Sequence, residues 1–427
     1  MMVTDQLLPD EKDHLFKCSP ITTVTYFSIA PSDGAGATIS HVDKVISARV
    51  RELLSDNAWL TGSLSNKSGE ITLQYNEVLP KSSVYSVEPY YSVAFGEDVA
   101  LTPTMDNEVL LKRLIGYGRA PLLVEYGSQC LNKVDAPLFH VSLIASRADA
   151  AEFAIVVSLS HTIGDAFTHS KILNGILGTS SERRTHLTSQ RMLKFEEISE
   201  SSIDRVNEYR RMFKMPSFIV GAIYKVYLNP CRPRLRMRRY EIDSEWIREQ
   251  KENHVPTDAA PFITTNDIVT SWFFRTGEFE SGLMILNLRD RIDNVSTDMA
   301  GNYIKEIFYF PEMFATPAGV RAPLTNGFKT SRQGEIPGMG ARFRCKMGMV
   351  TSWVFPFSQD LSLPGCETVS HVPIIHYSLG HTFSFLDGCC FIYKPSPTTT
   401  GVLIIETLGS SFSERHMLSD PAIKRAL

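Results

Sequence analysis

The feature that most constrains this chain is a run of apolar, mostly β-branched residues that ends at a polar turn. Val156–Leu159 predicts a buried strand, and the pattern His-x-x-x-Asp follows it at His161 and Asp165. Ala166–Leu177 then has the spacing of a helix. A short turn between strand and helix holds side chains at a sheet edge on a rigid backbone. Because histidine titrates near neutral pH, His161 can take a proton from a hydroxyl or amine there, although a packed or solvated histidine gives the same short pattern.

The overall composition excludes several classes of function. The chain has 427 residues, 43% hydrophobic and 21% charged, which is typical of a globular protein with two or three domains. Its 43 basic and 47 acidic residues give a net charge of −4, so we expect no nucleic-acid partner. The seven cysteines contain no Cys-x-x-Cys pair, which argues against a zinc site and a disulfide framework. We therefore expect no bound metal.

The N-terminus and the apolar segments predict the compartment. Met1–Lys17 is acidic and has no apolar core of the kind found in signal peptides. The longest apolar candidate, Phe218–Tyr227, contains Lys225 and is shorter than the roughly 18 residues that span a bilayer. We expect a cytoplasmic protein, in a reducing compartment, without stable insertion into a membrane.

Hydrophobic periodicity predicts a mixed α/β chain. The predicted strands are Thr22–Ile29, Ile71–Tyr75, Leu138–Ile144, Glu152–Ser158, Leu283–Leu288, Ile304–Phe310, Gly348–Phe355 and Gly401–Glu406. The predicted helices are Val42–Leu54, Ala166–Leu177, Ile268–Phe274 and Ser411–Leu418. The polar stretch Thr179–Arg205 is typical of a surface connection, and the composition changes near residues 180–235. These features indicate two lobes of similar size.

Six short motifs follow one another in the order found in a known superfamily. They are Trp59-Leu60-Thr61-Gly62-Ser63-Leu64, Ser160-His161 to Asp165, Asn287-Leu288-Arg289, Gly301-Asn302-Tyr303, Thr351-Ser352-Trp353 and Gly401-Val402-Leu403-Ile404-Ile405. Together they resemble the His-x-x-x-Asp acyltransferase superfamily, which includes the BAHD acyltransferases, chloramphenicol acetyltransferase and the condensation domains of peptide synthetases. The resemblance is BAHD-like and spans nearly the whole chain.

That resemblance implies an α/β fold of two chloramphenicol-acetyltransferase-like lobes. Each lobe is expected to be a mixed sheet with flanking helices, and the active-site channel is expected between them. The first lobe would cover residues 1–185 and carry the His-x-x-x-Asp motif. A crossover linker would cover 186–235, and the second lobe 236–427.

Three departures indicate a divergent member of that superfamily. Ala166 follows Asp165 where the family usually has glycine, and Asp360–Gly365 stands in place of an Asp-Phe-Gly-Trp-Gly stretch. Ser160 precedes His161, so the doubled histidine of condensation domains is absent. The acceptor and the acyl chain are therefore not carried over from the family.

The motif residues can be given chemical roles. The resemblance implies that His161 is the general base and that the acceptor attacks the thioester directly in a ternary complex. It also implies that Asp165 supports the site structurally by pairing with Arg289, because a buried carboxylate needs a charged, hydrogen-bonding neighbour. A surface position is the alternative for Arg289. In similar enzymes the threonine that corresponds to Thr351 points its hydroxyl toward the reacting centre, where it can stabilise either the oxyanion or the acceptor. Trp353, on the same strand face, either contacts the acceptor or packs in the core.

Two places in the second lobe are candidates for contacts with the phosphates of coenzyme A. A basic run offers Arg236 and Arg238, and a helix start offers Thr264 and Thr265 with their backbone amides. Thr264 is also predicted to cap this helix, with Asp267 in its first turn. An exposed edge strand is the alternative for the basic run. We expect acyl-CoA as a co-substrate, no permanently bound cofactor, and a monomer.

The leading hypothesis is an acyl-CoA-dependent O- or N-acyltransferase of secondary metabolism that acts on a small alcohol or amine. Three alternatives stay open. A condensation-type enzyme would take its donor from the thioester of a carrier protein. A catalytically silent homologue would bind a small molecule or a partner. A membrane-associated lipid acyltransferase would place Phe218–Tyr227 and the neighbouring arginines on an anionic bilayer.

Overall fold

In a computed structural model of the chain, the described strands assemble into three sheets, with helices packed on them. The described residues are 1–17, 19–30, 38–67, 69–78, 86–116, 122–179, 186–203, 236–328, 346–355, 361–376, 386–406, 412 and 414–427.

The secondary-structure elements are numbered here in chain order over the described residues. The strands are β1 (Met2–Gln6), β2 (Ile21–Ile29), β3 (Ser63–Ser65), β4 (Thr72–Asn76), β5 (Tyr91–Phe95), β6 (Phe139–Ala145), β7 (Glu152–Leu159), β8 (Arg236–Ile242), β9 (Ser281–Asn287), β10 (Ile304–Tyr309), β11 (Met347–Ser352), β12 (Cys366–Ile374), β13 (Gly388–Tyr393), β14 (Thr400–Glu406) and β15 (Ile423–Ala426). The helices are α1 (Pro9–Lys17), α2 (Ile39–Asp56), α3 (Asn107–Ile115), α4 (Gly127–Cys130), α5 (Ala166–Leu177), α6 (Phe195–Ser202), α7 (Ser244–Glu252), α8 (Thr265–Thr276), α9 (Pro311–Phe314), α10 (Pro317–Thr325) and α11 (Glu414–Ser419), with a 3-10 turn at Ala58–Thr61.

Two large sheets carry most of the described strands. The five-stranded sheet has the order β12-β2-β7-β6-β5, and the seven-stranded sheet has the order β10-β9-β11-β13-β14-β8-β15. Strands β1, β4 and β3 form a small third sheet. Strand β12 comes from the second half of the chain but pairs antiparallel with β2, so backbone hydrogen bonds tie the two halves together. The lobe limits given above stay a prediction.

The central strands of the five-stranded sheet, β2, β7 and β6, are buried on both faces. Val24 and Tyr26 of β2 face a core that they share with the seven-stranded sheet. Phe27, which points to the opposite face, packs in a second core with Ile46 of α2 and Ile172 of α5. A strand covered on both faces has few polar positions, which explains the near-continuous apolar run that precedes the His-x-x-x-Asp turn.

Most of the predicted elements are confirmed, with differences of a few residues at their ends. Helix α5 has the predicted limits, and β6 and β7 pair antiparallel as predicted. Thr264 caps α8, with its hydroxyl accepting from the amide of Asp267. The helix predicted at Ser411–Leu418 is described from residue 414 onward as α11, and its first residue lies outside the described ranges.

The structure bears on two expectations about exposed segments. The described part of Thr179–Arg205 includes α6, and Arg191 within it is buried against Glu11 rather than solvated. The polar composition of this stretch does not predict that Arg191 is buried, because the carboxylate of Glu11, from a distant segment, compensates its charge. Strand β8 lies between β14 and β15, but β15 pairs only with Tyr240–Ile242, so Arg236–Arg238 have a described partner strand on one side, which agrees with the edge-strand alternative for this part of β8.

The sequence also predicts no stable insertion into a membrane and no bound metal. Within the described ranges, none of the helices has the length and apolar character needed to cross a bilayer. Over the same ranges, no three His, Cys, Asp or Glu side chains are grouped so that they could hold a metal ion. Phe218–Tyr227 lies outside the described residues.

Two histidines, His169 of α5 and His371 of β12, predict that the protein loses stability in acid. Burial lowers the pKa of His169 from 6.5 to about 4, and burial together with the nearby His169 lowers the pKa of His371 to about 3. A histidine with a lowered folded pKa contributes its full stability above about pH 6.5, and that contribution is lost as pH falls toward the folded pKa. We expect His169→Gln to reduce the loss of melting temperature between about pH 6.5 and 4. The exposed His41→Gln should leave the profile unchanged, and an unaltered pH slope in His169→Gln would contradict the assignment.

Candidate active site

Strand β7 and a tight turn position His161. The backbone N–H of Ser160 still donates to the carbonyl of Leu138, at 2.8 Å, so the ladder is intact up to the residue before His161. Gly164 then lets the chain fold back on itself. A Cβ at Gly164 would lie 2.7 Å from Cγ2 of Thr168, which is closer than packed atoms approach. The turn between strand and helix therefore has little freedom of shape.

The carboxylate of Asp165 points into the protein, and both of its oxygens accept hydrogen bonds. Its Oδ1 accepts from the backbone N–H of Thr168 at 2.9 Å and from the Thr168 hydroxyl at 3.0 Å, which caps α5. Its Oδ2 accepts from Nη1 of Arg289 at 2.7 Å and from the backbone N–H of Tyr303 at 3.2 Å. Asp165 is thus a structural anchor of the turn.

The guanidinium of Arg289 is buried, and all five of its N–H groups have acceptors. Nε donates to Met299 O at 2.9 Å, Nη1 to Asp165 Oδ2 at 2.7 Å and Asn287 Oδ1 at 3.0 Å, and Nη2 to Gly301 O at 2.8 Å and Thr168 Oγ1 at 3.2 Å. The rings of Phe167 and Tyr303 lie 4.6 and 5.0 Å from its Cζ. The predicted ion pair with Asp165 is present, and the alternative of a surface position for Arg289 is wrong.

The surroundings of His161 favour a neutral ring. Burial lowers the pKa of His161 below its ordinary value of 6.5, although its own backbone carbonyl, Asp165, Asn302 and Glu11 act in the opposite direction. The side-chain amide of Asn302 donates to the backbone carbonyl of His161 at 2.9 Å, which fixes the peptide that carries the ring. A neutral imidazole at pH 7 can accept a proton, as a general base must.

A second buried ion pair, which the sequence did not reveal, supports the same turn. Glu11 of α1 and Arg191 are both fully buried, and Nε of Arg191 lies 3.0 Å from each carboxylate oxygen. Glu11 also accepts from the backbone N–H of Asn302 at 2.9 Å. Arg191 donates to the carbonyl of Ile163, at 2.9 Å, inside the His161 turn. The pair therefore joins three distant segments at the site.

Gly301, like Gly164, has no room for a side chain at this junction. Its φ of +131° favours glycine, and a Cβ would lie 2.8 Å from both Nε of Arg191 and Oε1 of Glu11. The Gly301-Asn302-Tyr303 motif was visible in the sequence. Its ionic partners were not, since Glu11 and Arg191 stand 180 residues apart and belong to no local pattern.

The Thr351–Trp353 motif lies at the same edge of the seven-stranded sheet as the end of β9. Strands β9 and β11 are parallel, so their carboxyl ends meet, and β9 leads directly to the buried arginine. Trp353 is half-buried, with its ring centroid 5.7 Å from that of Phe391. Two residues further on, the ring of Phe355 packs against the ring of Phe167 in the first turn of α5, with the ring centroids 5.5 Å apart. The structure therefore brings this motif next to the His-x-x-x-Asp turn.

The helix-start candidates for phosphate contacts already have internal partners. The backbone N–H of Thr264 donates to Oδ2 of Asp267 at 2.7 Å, and the Thr264 hydroxyl takes part in the cap. Arg321, which the sequence reading missed, donates to the Thr264 hydroxyl at 2.9 Å and to Asp267 at 2.9 Å. Thr265 is the first residue of the helix and is only partly buried.

The basic run lies elsewhere in the seven-stranded sheet. Arg236 is exposed on β8, and Arg238 pairs with Glu406 at 3.0 Å. Strand β8 is four strand spacings from β9, or about 19 Å at ~4.8 Å per spacing, whereas Asn266 at the start of α8 contacts Met284 of β9. One phosphate group cannot contact both sets of candidates.

Comparison with solved structures shows where this architecture recurs. F. graminearum TRI101 complexed with coenzyme A and deoxynivalenol aligns with a TM-score of 0.58 and 10% identity, covering 98% of this chain and 97% of that one. Vinorine synthase aligns with a TM-score of 0.56 and 11% identity, covering 96% of this chain and 95% of that one. The first condensation domain of the CDA synthetase aligns with a TM-score of 0.51 and 12% identity, covering 95% of this chain and 90% of that one. This chain shares their fold. The fold class predicted from the motifs is thereby confirmed.

Sequence comparisons find no such relationship. No protein-family sequence model matches this chain, and no curated protein sequence is significantly similar to it. The solved structures have only 10–12% identity with it. The similarity is therefore one of architecture.

The Asp165–Arg289 pair should be a major determinant of stability. Asp165→Asn or Arg289→Met alone should lower the free energy of unfolding by about 3–5 kcal/mol, because each leaves the other charge buried and uncompensated. The double variant should lose less than the sum of the two. Urea unfolding of the three variants measures this. Lys112→Met, which breaks the exposed pair with Glu108, should cost less than about 1 kcal/mol. Single variants as stable as the parent would contradict a structural role for the pair.

Proposed function

We propose that this chain is an acyl-CoA-dependent acyltransferase that moves an acyl group to the hydroxyl or amine of a small acceptor. The observation that supports this most strongly is the setting of His161, in a turn held by two buried ion pairs and with a pKa lowered by burial. TRI101 structures of the same fold contain ethyl coenzyme A, or coenzyme A with a mycotoxin. Together these features favour proton transfer to His161 during acyl transfer.

In the proposed reaction, His161 takes the proton of the acceptor as the acceptor oxygen or nitrogen attacks the thioester carbonyl carbon. The carbonyl electron pair moves to oxygen, and the Thr351 hydroxyl donates a hydrogen bond to this oxyanion. Collapse of the intermediate breaks the C–S bond. The thiolate of coenzyme A takes the proton from the imidazolium, so His161 is neutral again. Asp165 does not compete as a base because both of its oxygens accept hydrogen bonds.

The described cysteines favour this direct route over an acyl-enzyme. Burial raises the pKa of Cys130 to about 11, and it raises the pKa of Cys389 and Cys390 well above the ordinary value of 9.0. A thiol that stays protonated at neutral pH is a poor nucleophile. The ternary-complex mechanism needs no such nucleophile.

The substrate contacts are the less constrained part of the proposal. Trp353 is assigned to the acceptor, and Thr264, Thr265, Arg236 and Arg238 to the phosphates of acyl-CoA. Thr264 and Arg238 already have internal partners, so Thr265 and Arg236 are the stronger candidates. A monomeric protein in the cytoplasm completes the proposal.

A second candidate is a condensation-type enzyme that takes its donor from the thioester of a carrier protein. The similarity to the condensation domain of the CDA synthetase favours it. Purified protein incubated with an acyl-CoA panel, or with acylated carrier proteins, and with pooled alcohols and amines distinguishes the two by mass spectrometry. Product from the acyl-CoA panel alone supports the first candidate, and product from the carrier alone supports the second.

His161→Ala should reduce turnover by about 10²–10⁴, the usual contribution of positioned proton transfer. Affinity for acyl-CoA should stay nearly unchanged, because the ring contacts the acceptor proton. Steady-state kinetics and equilibrium binding of acyl-CoA measure the two effects. The exposed His41→Ala serves as the control and should keep full activity. Full activity in His161→Ala, or a trapped acyl group on a cysteine or serine, would contradict the mechanism.

A further inference from the structure

A buried arginine that has no acidic partner among the described residues lies between the two large sheets. Arg239 of β8 is 6% exposed, and its Nη2 donates to the carbonyl of Met105. Its Nη1 is buried and has no hydrogen-bond partner among the described residues. The preceding residue differs, since Arg238 pairs with Glu406. Arg239 is the member of the basic run whose charge is uncompensated within the described part of the chain.

Two tyrosine hydroxyls converge on the same buried region. Tyr26 of β2 is 3% exposed and Tyr393 of β13 is 1% exposed. Both hydroxyls are buried and have no hydrogen-bond partner among the described residues. Arg239 is close enough that its charge acts to lower the pKa of both phenols, against the larger raising effect of burial. The two tyrosines come from different sheets but belong to one hydrophobic core, and the charge of Arg239 acts on both of them there.

The strand register explains how Tyr393 reaches this patch. Tyr393 pairs with Gly401 of β14, and Gly401 pairs with Glu241 of β8, so all three face one side of the sheet together with Arg239. A Cβ at Gly401 would lie 2.7 Å from Cζ of Tyr393. The glycine therefore leaves room for the ring of Tyr393 to lie against β14, on the side toward β8.

The nearby carboxylates are committed to other cations. Glu241 pairs with Lys424 at 3.0 Å and with Arg425 at 2.6 Å. Glu406 pairs with Arg238. Neither is within salt-bridge distance of Arg239. Water can satisfy the hydrogen bonds of a buried guanidinium but does not compensate its charge.

We propose that Arg239, Tyr26 and Tyr393 form a binding site for a carboxylate or phosphate group. The oxyanion accepts hydrogen bonds from Nη1 of Arg239 and from both hydroxyls, and its negative charge compensates the positive charge of Arg239. The site is separate from the acyl-transfer centre, because Tyr26 pairs with Ala154, seven residues before His161 on β7. At ~3.3 Å per residue, the five residues from Ala154 to the end of β7 at Leu159 span about 17 Å, and His161 lies beyond that end. The proposal therefore does not depend on the proposed acyl-transfer function.

Titration of the full chain with inorganic phosphate, and separately with acetate, tests the site. Isothermal titration calorimetry at constant ionic strength should give saturable binding to one site of at least one of these anions. Arg239→Met should weaken that binding by about tenfold or more, as expected for losing a charged hydrogen-bond partner. Arg248→Gln removes the same charge from the exposed face of α7 and should leave the affinity unchanged. Absence of saturable binding, or equal affinity in Arg239→Met, would overturn the proposal.

Two further variants keep the test valid if Arg239→Met fails to fold. Tyr26→Phe and Tyr393→Phe remove only hydroxyls that have no protein partner in the described structure, so the fold should be preserved. Each should weaken anion binding several-fold, and unchanged binding in both would overturn the site. Coenzyme A in the same titration identifies the source of the anion. An equal loss of coenzyme A affinity in the variants indicates a phosphate of the coenzyme, and an unchanged affinity indicates a separate small anion.

Discussion

The ion pair between Asp165 and Arg289 is the interaction on which the candidate site depends. It joins the first turn of α5, the end of β9 and the Gly301–Tyr303 segment through one set of charge-assisted hydrogen bonds. Two charges buried in this way are stable only when every remaining donor and acceptor is satisfied, and here all five N–H groups of the guanidinium are. The pair fixes the backbone on one side of His161.

The pair between Glu11 and Arg191 has the same effect from the other side. Its contacts reach the carbonyl of Ile163 within the turn and the backbone of Asn302, whose side chain holds the carbonyl of His161. Burial lowers the pKa of the imidazole, whereas the carboxylates of Asp165 and Glu11 act in the opposite direction. The two ion pairs thus hold the backbone of the turn, and burial of the ring favours its neutral form.

The sequence predicts the local elements and the motif residues, but not the contacts between distant segments. Continuous apolar runs and helical spacing suffice for β7 and α5, because each depends on neighbouring residues. The pairing of Asp165 with Arg289 could be predicted only through the resemblance to a family. Arg191 was misread as part of a polar connection because burial of a charge depends on its partner, and Glu11 lies 180 residues away. Arg239 and its two tyrosines meet only when the sheets come together, so no spacing in the sequence reveals them.

The central claim is that burial keeps the ring of His161 neutral, in a turn whose backbone is held by two buried ion pairs. Titration of the ring by ¹⁵N and ¹H NMR, with the signal assigned by comparison with His161→Ala, tests this directly. The account predicts a pKa below the ordinary value of 6.5, so that the neutral imidazole predominates at pH 7. A pKa at or above 6.5 would contradict it, because the site would then fail to disfavour the charged ring relative to a histidine in water.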